Sequence, residues 1–153
     1  MNQLIEFVSA IQEFERAHVP ELKTGREIGR TYATWLIKNV SCHDGVILMA
    51  NQDNKKIGLV CAWIDKDEDQ LLQEQFSVHA YVSDIFVLEF YRNRGIAHLL
   101  LERVEKIMFD RGCARIRVRS KATNLAALKL YEHSGYQPYE TIFTKVIRAQ
   151  GSW

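Results

Sequence analysis

Residues 81–101, YVSDIFVLEFYRNRGIAHLLL, constrain the fold of this chain more than any other stretch. Residues 81–88 are mostly apolar and predict a strand. The apolar spacing that follows predicts a helix from about residue 94 to residue 110. A strand that turns directly into a helix leaves the unpaired N–H groups and the positive dipole end of that helix at the turn. The sequence therefore predicts an anion-binding turn.

The turn itself, residues 89–97, is basic and ends in two small residues. Gly95 and Ala97 have almost no side chain to keep a diphosphate away from the backbone amides. Arg92 and Arg94 can supply countercharge. Taken alone, the turn is compatible with any ligand that carries phosphate.

The N-terminal half predicts two helices and a hairpin. Apolar residues at helical spacing predict an amphipathic helix over residues 2–17 and a second helix over residues 25–40. Residues 46–50 and 57–64 are apolar runs that predict strands. The polar, Asx-rich residues 51–56 between them predict a hairpin turn.

The C-terminal part predicts two further strands and one helix. Residues 114–119, ARIRVR, alternate strictly and predict a half-buried strand. Thr123 or Asn124 is expected to cap a helix that ends at about Ser134. Residues 141–147, TIFTKVI, predict the last strand. Strands that alternate with helices in this half indicate a mixed α/β sheet.

Two stretches predict no regular structure, and the length predicts one domain. The acidic residues 65–75 are interpreted as a solvated excursion between strands. Residues 148–153 are expected to form a loose tail. A chain of 153 residues and 17.8 kDa is large enough for a single core.

Composition excludes several classes of function. A formal net charge of +1 gives no reason to expect nucleic-acid binding, and a strand with one solvated face explains the alternating Arg115, Arg117 and Arg119. No apolar run approaches the ~20 residues that a membrane span needs. Three cysteines without paired spacing favour free thiols and a cytoplasmic, reducing compartment. No residues lie at metal-ligand spacing, so no metal is expected.

Residues 92–97, RNRGIA, resemble the Q/R-x-x-G-x-G/A signature of the GNAT superfamily, the GCN5-related N-acetyltransferases. Three other elements occur in the family's order. They are the strand SDIFV before this loop, Asn124, and Tyr131 within the run ATNLAALKLYEHSGY. The resemblance covers residues 46–147, about two-thirds of the chain.

The resemblance implies the fold of that superfamily, an α/β (α+β) mixed sheet, formed by residues 1–153 as a single domain. The acceptor-side half would be about 1–80 and the acetyl-coenzyme A-binding half about 81–147. The family usually opens with a strand, whereas this chain opens with a helical pattern. An uncovered sheet edge is a liability. Either that strand is lost, another element covers the edge, or the helix prediction is wrong. A homodimer in which a second copy covers the edge is one hypothesis.

Acetyl-coenzyme A is the cosubstrate that the resemblance implies. The loop would hold its pyrophosphate, the backbone of Phe86 and Val87 would pair with the pantetheine arm, and Asn124 would hydrogen-bond that arm. The Tyr131 hydroxyl would lie near the thioester sulfur. The other cofactor-binding residues implied are Arg92, Asn93, Arg94, Gly95, Ile96, Ala97, His98 and Ala127.

Acetyl transfer requires a neutral amine, so a base or a water relay must remove a proton at pH 7. Tyr131 would protonate the leaving thiolate. Relatives that acetylate polyamines tend to show a Glu-Asp pair where this chain has Ser83-Asp84. Asp84 is then either a catalytic acid or a residue that orients a neighbouring loop. Glu89 at the strand end is either a base acting through water or an exposed acid at a turn.

The implied function is an acetyl-coenzyme A-dependent N-acetyltransferase acting by direct transfer to a primary amine of a small molecule or peptide. Cys61 and Cys113 have no adjacent base, which argues against an acetyl-cysteine intermediate. The alternative is a non-catalytic module that binds or senses acyl-coenzyme A, and Ser83 keeps this alternative open.

Overall fold

The computed structural model describes residues 1–68 and 72–147. The expected tail 148–153 lies outside these residues, as do residues 69–71 of the acidic excursion. The helices and strands, in chain order, are α1 (Asn2–Arg16), α2 (Gly25–Cys42), β1 (Val46–Gln52), β2 (Lys55–Lys66), α3 (Glu74–Ser77), β3 (Val78–Val87), α4 (Ile96–Asp110), β4 (Ile116–Val118) and α5 (Leu125–His133). No helix within the described residues is long and apolar enough to cross a membrane.

The two N-terminal helices carry local signals that explain where they form. α1 buries Leu4, Phe7 and Val8 along one stripe. α2 begins at a capping box in which the Thr24 side chain accepts the Glu27 N–H and the Glu27 carboxylate accepts the Thr24 N–H at 2.8 Å. Both predicted N-terminal helices are confirmed.

The predicted hairpin is also confirmed, with longer strands and a tighter turn than expected. β1 and β2 pair in antiparallel register up to Gln52 and Lys55. Only Asp53 and Asn54 lie between the strands, with φ of 48° and 62°. Asp and Asn tolerate this left-handed region better than other side chains, so two residues suffice to reverse the chain.

The sheet has the order β1-β2-β3-β4. β2 and β3 are antiparallel over their length, whereas β3 and β4 are parallel and pair only from Ala80–Ile116 to Val82–Val118. β4 is shorter than the predicted strand 114–119. The pairing ends at Val82 and Val118, whereas β3 continues to Val87. Residues 83–87 therefore have no partner strand on the β4 side among the described residues, and this unpaired stretch, called here the gap, positions the site described below.

Apolar side chains fill both faces of the sheet. α4 packs on one face, against Val60, Ala62, Ala80 and Val82. α1 and α2 cover the other face, where the buried set comprises Leu4, Phe7, Val8, Ala33, Leu36, Leu59, Cys61 and Trp63. The cysteines Cys42, Cys61 and Cys113 are free thiols, as predicted; Cys61 and Cys113 are buried, and Cys42 is exposed.

The predicted strand over residues 141–147 is wrong for a single copy of the chain. The structure places these residues in no helix or strand, and Ile142, Phe143, Val146 and Ile147 are exposed. A strand exists only through backbone hydrogen bonds to a neighbour. The alternation of apolar residues signals the capacity to pair but does not supply the partner.

The ends of the sheet are β1 and β4. As predicted, the chain starts in a helix, so no strand precedes β1. Within the described residues, β1 and β4 each have one neighbouring strand and one free edge.

Candidate active site

The gap between β3 and β4 exposes backbone groups of β3. Leu88 donates its N–H to the Ile57 carbonyl at 2.9 Å, and the register places Val87 opposite Gly58. Hydrogen-bonded and non-bonded pairs alternate in an antiparallel ladder. By this alternation the N–H and C=O of Val87 and Ile85 point away from β2 and into the gap.

The loop after β3 leads into the N-terminus of α4 without a side-chain cap. Gly95 is the N-cap with φ of 76°, and Asn93 has φ of 59°. The N–H groups of Ile96, Ala97 and His98 fall in the first helical turn, which has no intrahelical acceptor for them. A Cβ on Gly95 would meet no heavy atom of the described chain within 4 Å. The loop therefore offers accessible N–H donors at the positive end of α4.

The two loop arginines have different environments. The Arg92 guanidinium lies between the rings of Phe14 and Phe86, at 4.9 and 5.2 Å, and its Nε donates to the Val87 carbonyl at 2.9 Å. Arg94 is exposed, donates to the Phe90 carbonyl at 3.1 Å and lies over the rings of Phe90 and Tyr91 in its own loop, at 5.2 and 5.5 Å. Arg92 thus joins α1 to the end of β3, whereas Arg94 remains at the loop surface.

His98 joins the start of α4 to the end of α5. Its Nδ1 lies 2.9 Å from the Ser134 hydroxyl, and its Nε2 lies 3.4 Å from Glu102. The imidazole ring is therefore occupied by contacts within the chain. The group of His98 that can bind a ligand is therefore its backbone N–H, which lies in the first turn of α4 and has no intrahelical acceptor.

Asn124 is the N-cap of α5, one of the two predicted caps. Its buried side-chain oxygen accepts the N–H of Ala127 at 3.2 Å. This bond fixes the orientation of the side chain and leaves its NH₂ group as a donor.

Tyr131 projects from α5, half-buried, with its ring 5.8 Å from that of Tyr136. Burial raises the pKa of Tyr131 well above its usual range, and the charges of Glu15 and Asp84 raise it further. The hydroxyl therefore stays protonated near neutral pH.

Asp84 is a buried carboxylate on the α1/α2 face of the sheet. Its two oxygens accept the Tyr32 hydroxyl at 3.2 and 3.1 Å. Burial raises the pKa of Asp84, hydrogen bonds from Ser83 and Tyr32 oppose the shift, and the charge of Glu15 adds to it. The register shifts between Val82 and Asp84, so Asp84 pairs with Cys61 and joins the face that α1 and α2 cover.

Three residues of this region were missed by the sequence prediction. Glu15 comes from α1, Tyr32 from α2, and Arg119 follows β4 with its guanidinium 5.8 Å from the Tyr81 ring. Glu15 carried a signal, because it continues the stripe of Leu4, Val8 and Ile11, where an apolar residue is expected. Tyr32 and Arg119 lie far from the loop in sequence, and no sequence pattern marked them as residues of this site.

The family model described as Acetyltransferase (GNAT) family matches residues 8–136 of this chain. The chain belongs to the GNAT family. Curated relatives match over a shorter stretch. Acetyltransferases of Yersinia pestis (strain Pestoides F) and Sodalis glossinidius (strain morsitans) are each 36% identical over 52 residues, which is 34% of this chain and 37% of theirs. The match therefore spans little more than a third of those relatives.

Solved structures agree with the GNAT assignment over most of the chain. A GCN5-related N-acetyltransferase from Ralstonia eutropha has a TM-score of 0.72 at 14% identity, covering 94% of this chain and 93% of that one. A putative acetyl transferase from Pyrococcus furiosus has a TM-score of 0.70 at 24% identity, covering 95% of each chain. An aminoglycoside N-acetyltransferase in complex with CoA has a TM-score of 0.68 at 19% identity, covering 97% of this chain and 91% of that one. The chain has the GNAT fold.

Other residues singled out from the sequence lie outside the gap between β3 and β4. Glu89 is exposed in a short 3-10 turn, Glu89–Tyr91, beyond β3. Arg115 stacks on Phe76 at 4.3 Å, and Arg117 pairs with Asp67 at 2.6 Å. These arginines have partners within the chain. Among the described residues, no group of three His, Cys, Asp or Glu side chains could hold a metal ion.

Proposed function

We propose that this chain is an acetyl-coenzyme A-dependent N-acetyltransferase that transfers acetyl directly to a primary amine. The observation that carries the proposal is the end of the β3–β4 pairing at Val82, which leaves the rest of β3 without a partner strand on that side, beside a loop with free N–H donors. An extended arm that carries amides and ends in a diphosphate fits both features. Membership of the GNAT family supports the same ligand.

The cofactor would span the gap from α4 to Tyr131. The N–H groups of Ile96, Ala97 and His98 bind the pyrophosphate, with Arg94 as countercharge. The pantetheine amides pair with the Val87 N–H and the Ile85 carbonyl, because the register directs these groups into the gap and Arg92 already occupies the Val87 carbonyl. The predicted contribution of the Phe86 backbone is disfavoured by the same register.

Asp84 is the proposed general base. The raised pKa of this buried carboxylate makes it a stronger proton acceptor, and Tyr32 fixes its orientation. The amine nitrogen attacks the acetyl carbonyl while its proton passes to Asp84, and the N–H of Ile85, which also faces the gap, binds the oxyanion. The C–S bond then breaks, and the Tyr131 hydroxyl donates its proton to the thiolate.

A cationic acceptor fits the charges around Asp84. The charge of Glu15 raises the pKa of Asp84, so a second carboxylate contributes to the electrostatic field that a cationic acceptor would meet. Tyr32 stacks on Trp35 at 5.2 Å and supplies an aromatic wall. Aminoglycoside acetyltransferases are among the similar structures, which is compatible with an acceptor of several amines.

The first experiment is a thermal shift with acetyl-coenzyme A. Cofactor at 100 times its dissociation constant should add ~2.7 kcal/mol, or roughly 5–10 °C for a domain of this size. Thiol release over a panel of primary amines then detects turnover. Absence of any shift at millimolar cofactor would refute the proposal.

Tyr131→Phe separates binding from chemistry. We expect the acetyl-coenzyme A shift to persist while turnover drops roughly 10²-fold or more, because the ring stays and the acid is removed. Unchanged turnover would exclude the acid role. A thermal shift with acetyl-coenzyme A but no thiol release with any amine would instead support the non-catalytic acyl-coenzyme A-binding module. Two observations favour this alternative: Ser83 stands in place of an acid, and both Asp84 oxygens accept the Tyr32 hydroxyl.

A further inference from the structure

The face of the sheet that α1 and α2 cover carries four aromatic side chains in contact with one another. Tyr32 stacks on Trp35 at 5.2 Å. Trp63 lies edge-on to Trp35 and to Tyr81, at 5.5 Å from each. These four residues, called here the aromatic row, end at Asp84 on one side, because the Tyr32 hydroxyl donates to that carboxylate. Trp35 is 45% exposed, so the row presents apolar surface to a bound molecule.

The other end of the aromatic row meets a cation. The Arg119 guanidinium lies over the Tyr81 ring, 5.8 Å from its centroid. Arg119 is exposed, and in the part of the chain that the structure describes no carboxylate lies within ion-pair distance of it. Its N–H donors are therefore available to an anion, and their fork geometry suits a carboxylate.

A second guanidinium on the same face is incompletely satisfied. Ile116 and Val118 of β4 pack towards α4, so Arg117 and Arg119 project from the opposite face, about 7 Å apart along the strand. Arg117 donates to Asp67 through Nη1 at 2.6 Å, but its Nη2 is buried and has no acceptor among the described residues. A buried donor of this kind is uncommon in folded proteins, and an anion bound beside Arg119 would supply an acceptor.

The anionic and cationic ends of this surface are close enough for one small molecule. Arg119 lies on the ring of Tyr81, which precedes Asp84 by three residues in β3. At about 3.3 Å per residue, the Cα atoms of Tyr81 and Asp84 are at most about 10 Å apart. A molecule of amino-acid size, with a hydrogen bond at each end, spans such a distance.

We propose that the acceptor is an amino acid, a primary amine whose own carboxylate binds to Arg119 while its amine lies at Asp84. The inference rests on the proposed acetyl transfer and names the class of its substrate. Charge-assisted hydrogen bonds hold the carboxylate, and the aromatic row contacts the side chain. A polyamine also satisfies Asp84, but it would place a second cation against Arg119, which selects against it.

Matched amines isolate the contribution of the carboxylate. Phenylalanine, phenylalaninamide and phenethylamine share a primary amine and an aromatic ring, but only phenylalanine carries a carboxylate. Thiol release from acetyl-coenzyme A gives kcat/KM for each, corrected for the neutral fraction of the amine. We expect phenylalanine to exceed the other two by about 10–100-fold, as hydrogen bonds between charged groups predict. Spermidine, a polyamine, should be a poorer acceptor than phenylalanine.

Variants of the arginines assign the preference to one side chain. Arg119→Gln should bring the ratio of kcat/KM between phenylalanine and phenethylamine to about one, whereas Arg119→Lys should retain part of it, because lysine keeps the charge without the fork. The KM for acetyl-coenzyme A should change less than about twofold, which separates an acceptor role from a cofactor role. The matched control is Arg115→Gln, whose guanidinium stacks on Phe76 at 4.3 Å, and which should keep the wild-type ratio.

The outcomes separate this inference from the proposed function. Thiol release without a carboxylate preference, or with a preference that Arg119→Gln leaves intact, would overturn the inference while acetyl transfer stands. If no amine releases thiol, the proposed function fails, and calorimetric titration of the same three molecules with coenzyme A present tests the carboxylate site. Binding of phenylalanine at least about tenfold tighter than phenethylamine, abolished by Arg119→Gln, supports that site. Equal or absent binding overturns it.

Discussion

The sharpest test of the anion-binding loop compares two glycines at opposite ends of α4. Gly95 precedes the helix with φ of 76°, and Gly112 follows it with φ of 89°. A Cβ at either position would meet no described atom within 4 Å. Substitution by alanine therefore costs only left-handed backbone strain, about 1–2 kcal/mol at each site. The melting temperature of both variants should decrease by about 2–8 °C.

The two variants should differ only in cofactor binding. The new methyl group of Gly95→Ala lies beside the N–H groups proposed to hold the pyrophosphate, so we expect acetyl-coenzyme A affinity to decrease at least tenfold, or about 1.4 kcal/mol. Gly112→Ala should bind as the unmodified chain does. Isothermal titration calorimetry measures both.

The comparison can refute the reasoning in two ways. Normal binding by Gly95→Ala would mean that the diphosphate does not approach this loop closely. An equal loss in Gly112→Ala would mean that the effect is one of general destabilisation. Only a loss confined to Gly95→Ala, at matched melting temperatures, supports the loop.

Three further predictions concern side chains. Asp84→Asn should lower turnover 10²–10⁴-fold with the cofactor shift retained. Because burial raises the pKa of Asp84, the stability of the wild-type protein should decrease as the pH rises through that pKa. Asn does not titrate, so the melting temperature of Asp84→Asn should increase relative to that of the wild type between pH 4 and pH 8. A constant difference in melting temperature would contradict this. Arg92→Ala should cost about 2 kcal/mol in apo-protein unfolding, because the half-buried guanidinium joins Phe14 of α1 to the end of β3. Arg94→Ala should cost under about 0.5 kcal/mol, because Arg94 is exposed and its contacts lie within its own loop; equal costs would contradict the joining role of Arg92. Thr24→Ala should cost about 1 kcal/mol in urea unfolding, and no change would mean that the capping box is not formed in solution.

The sequence predicted features whose causes are local. The helix α4, the hairpin and the N-cap Asn124 each depend on residues within a few positions of one another. The same holds for the loop before α4, because a strand, a glycine and a helix start suffice to define it. These are the parts of the site that a cofactor would contact.

What could not be predicted depends on contacts distant in sequence. The irregularity between Val82 and Asp84 determines which face Asp84 joins, and alternation within β3 cannot reveal it. Tyr32 reaches Asp84 across a separation of 52 residues. The segment 141–147 has the composition of a strand, but pairing is a property of two segments.

The short parallel pairing has a consequence for the order in which this protein opens. β4 is attached to β3 through three residue pairs and the bond from the Ala80 N–H to the Arg115 carbonyl at 2.8 Å. A unit joined by so few bonds opens locally at a lower free energy than the β1–β2–β3 ladder. Native-state exchange should therefore find β4 and α5 opening as a separate unit in the absence of cofactor. A ligand that bridges β3 and α5 would raise the free energy of this local opening, so that β4 and α5 would open together with the rest of the sheet when the cofactor is bound.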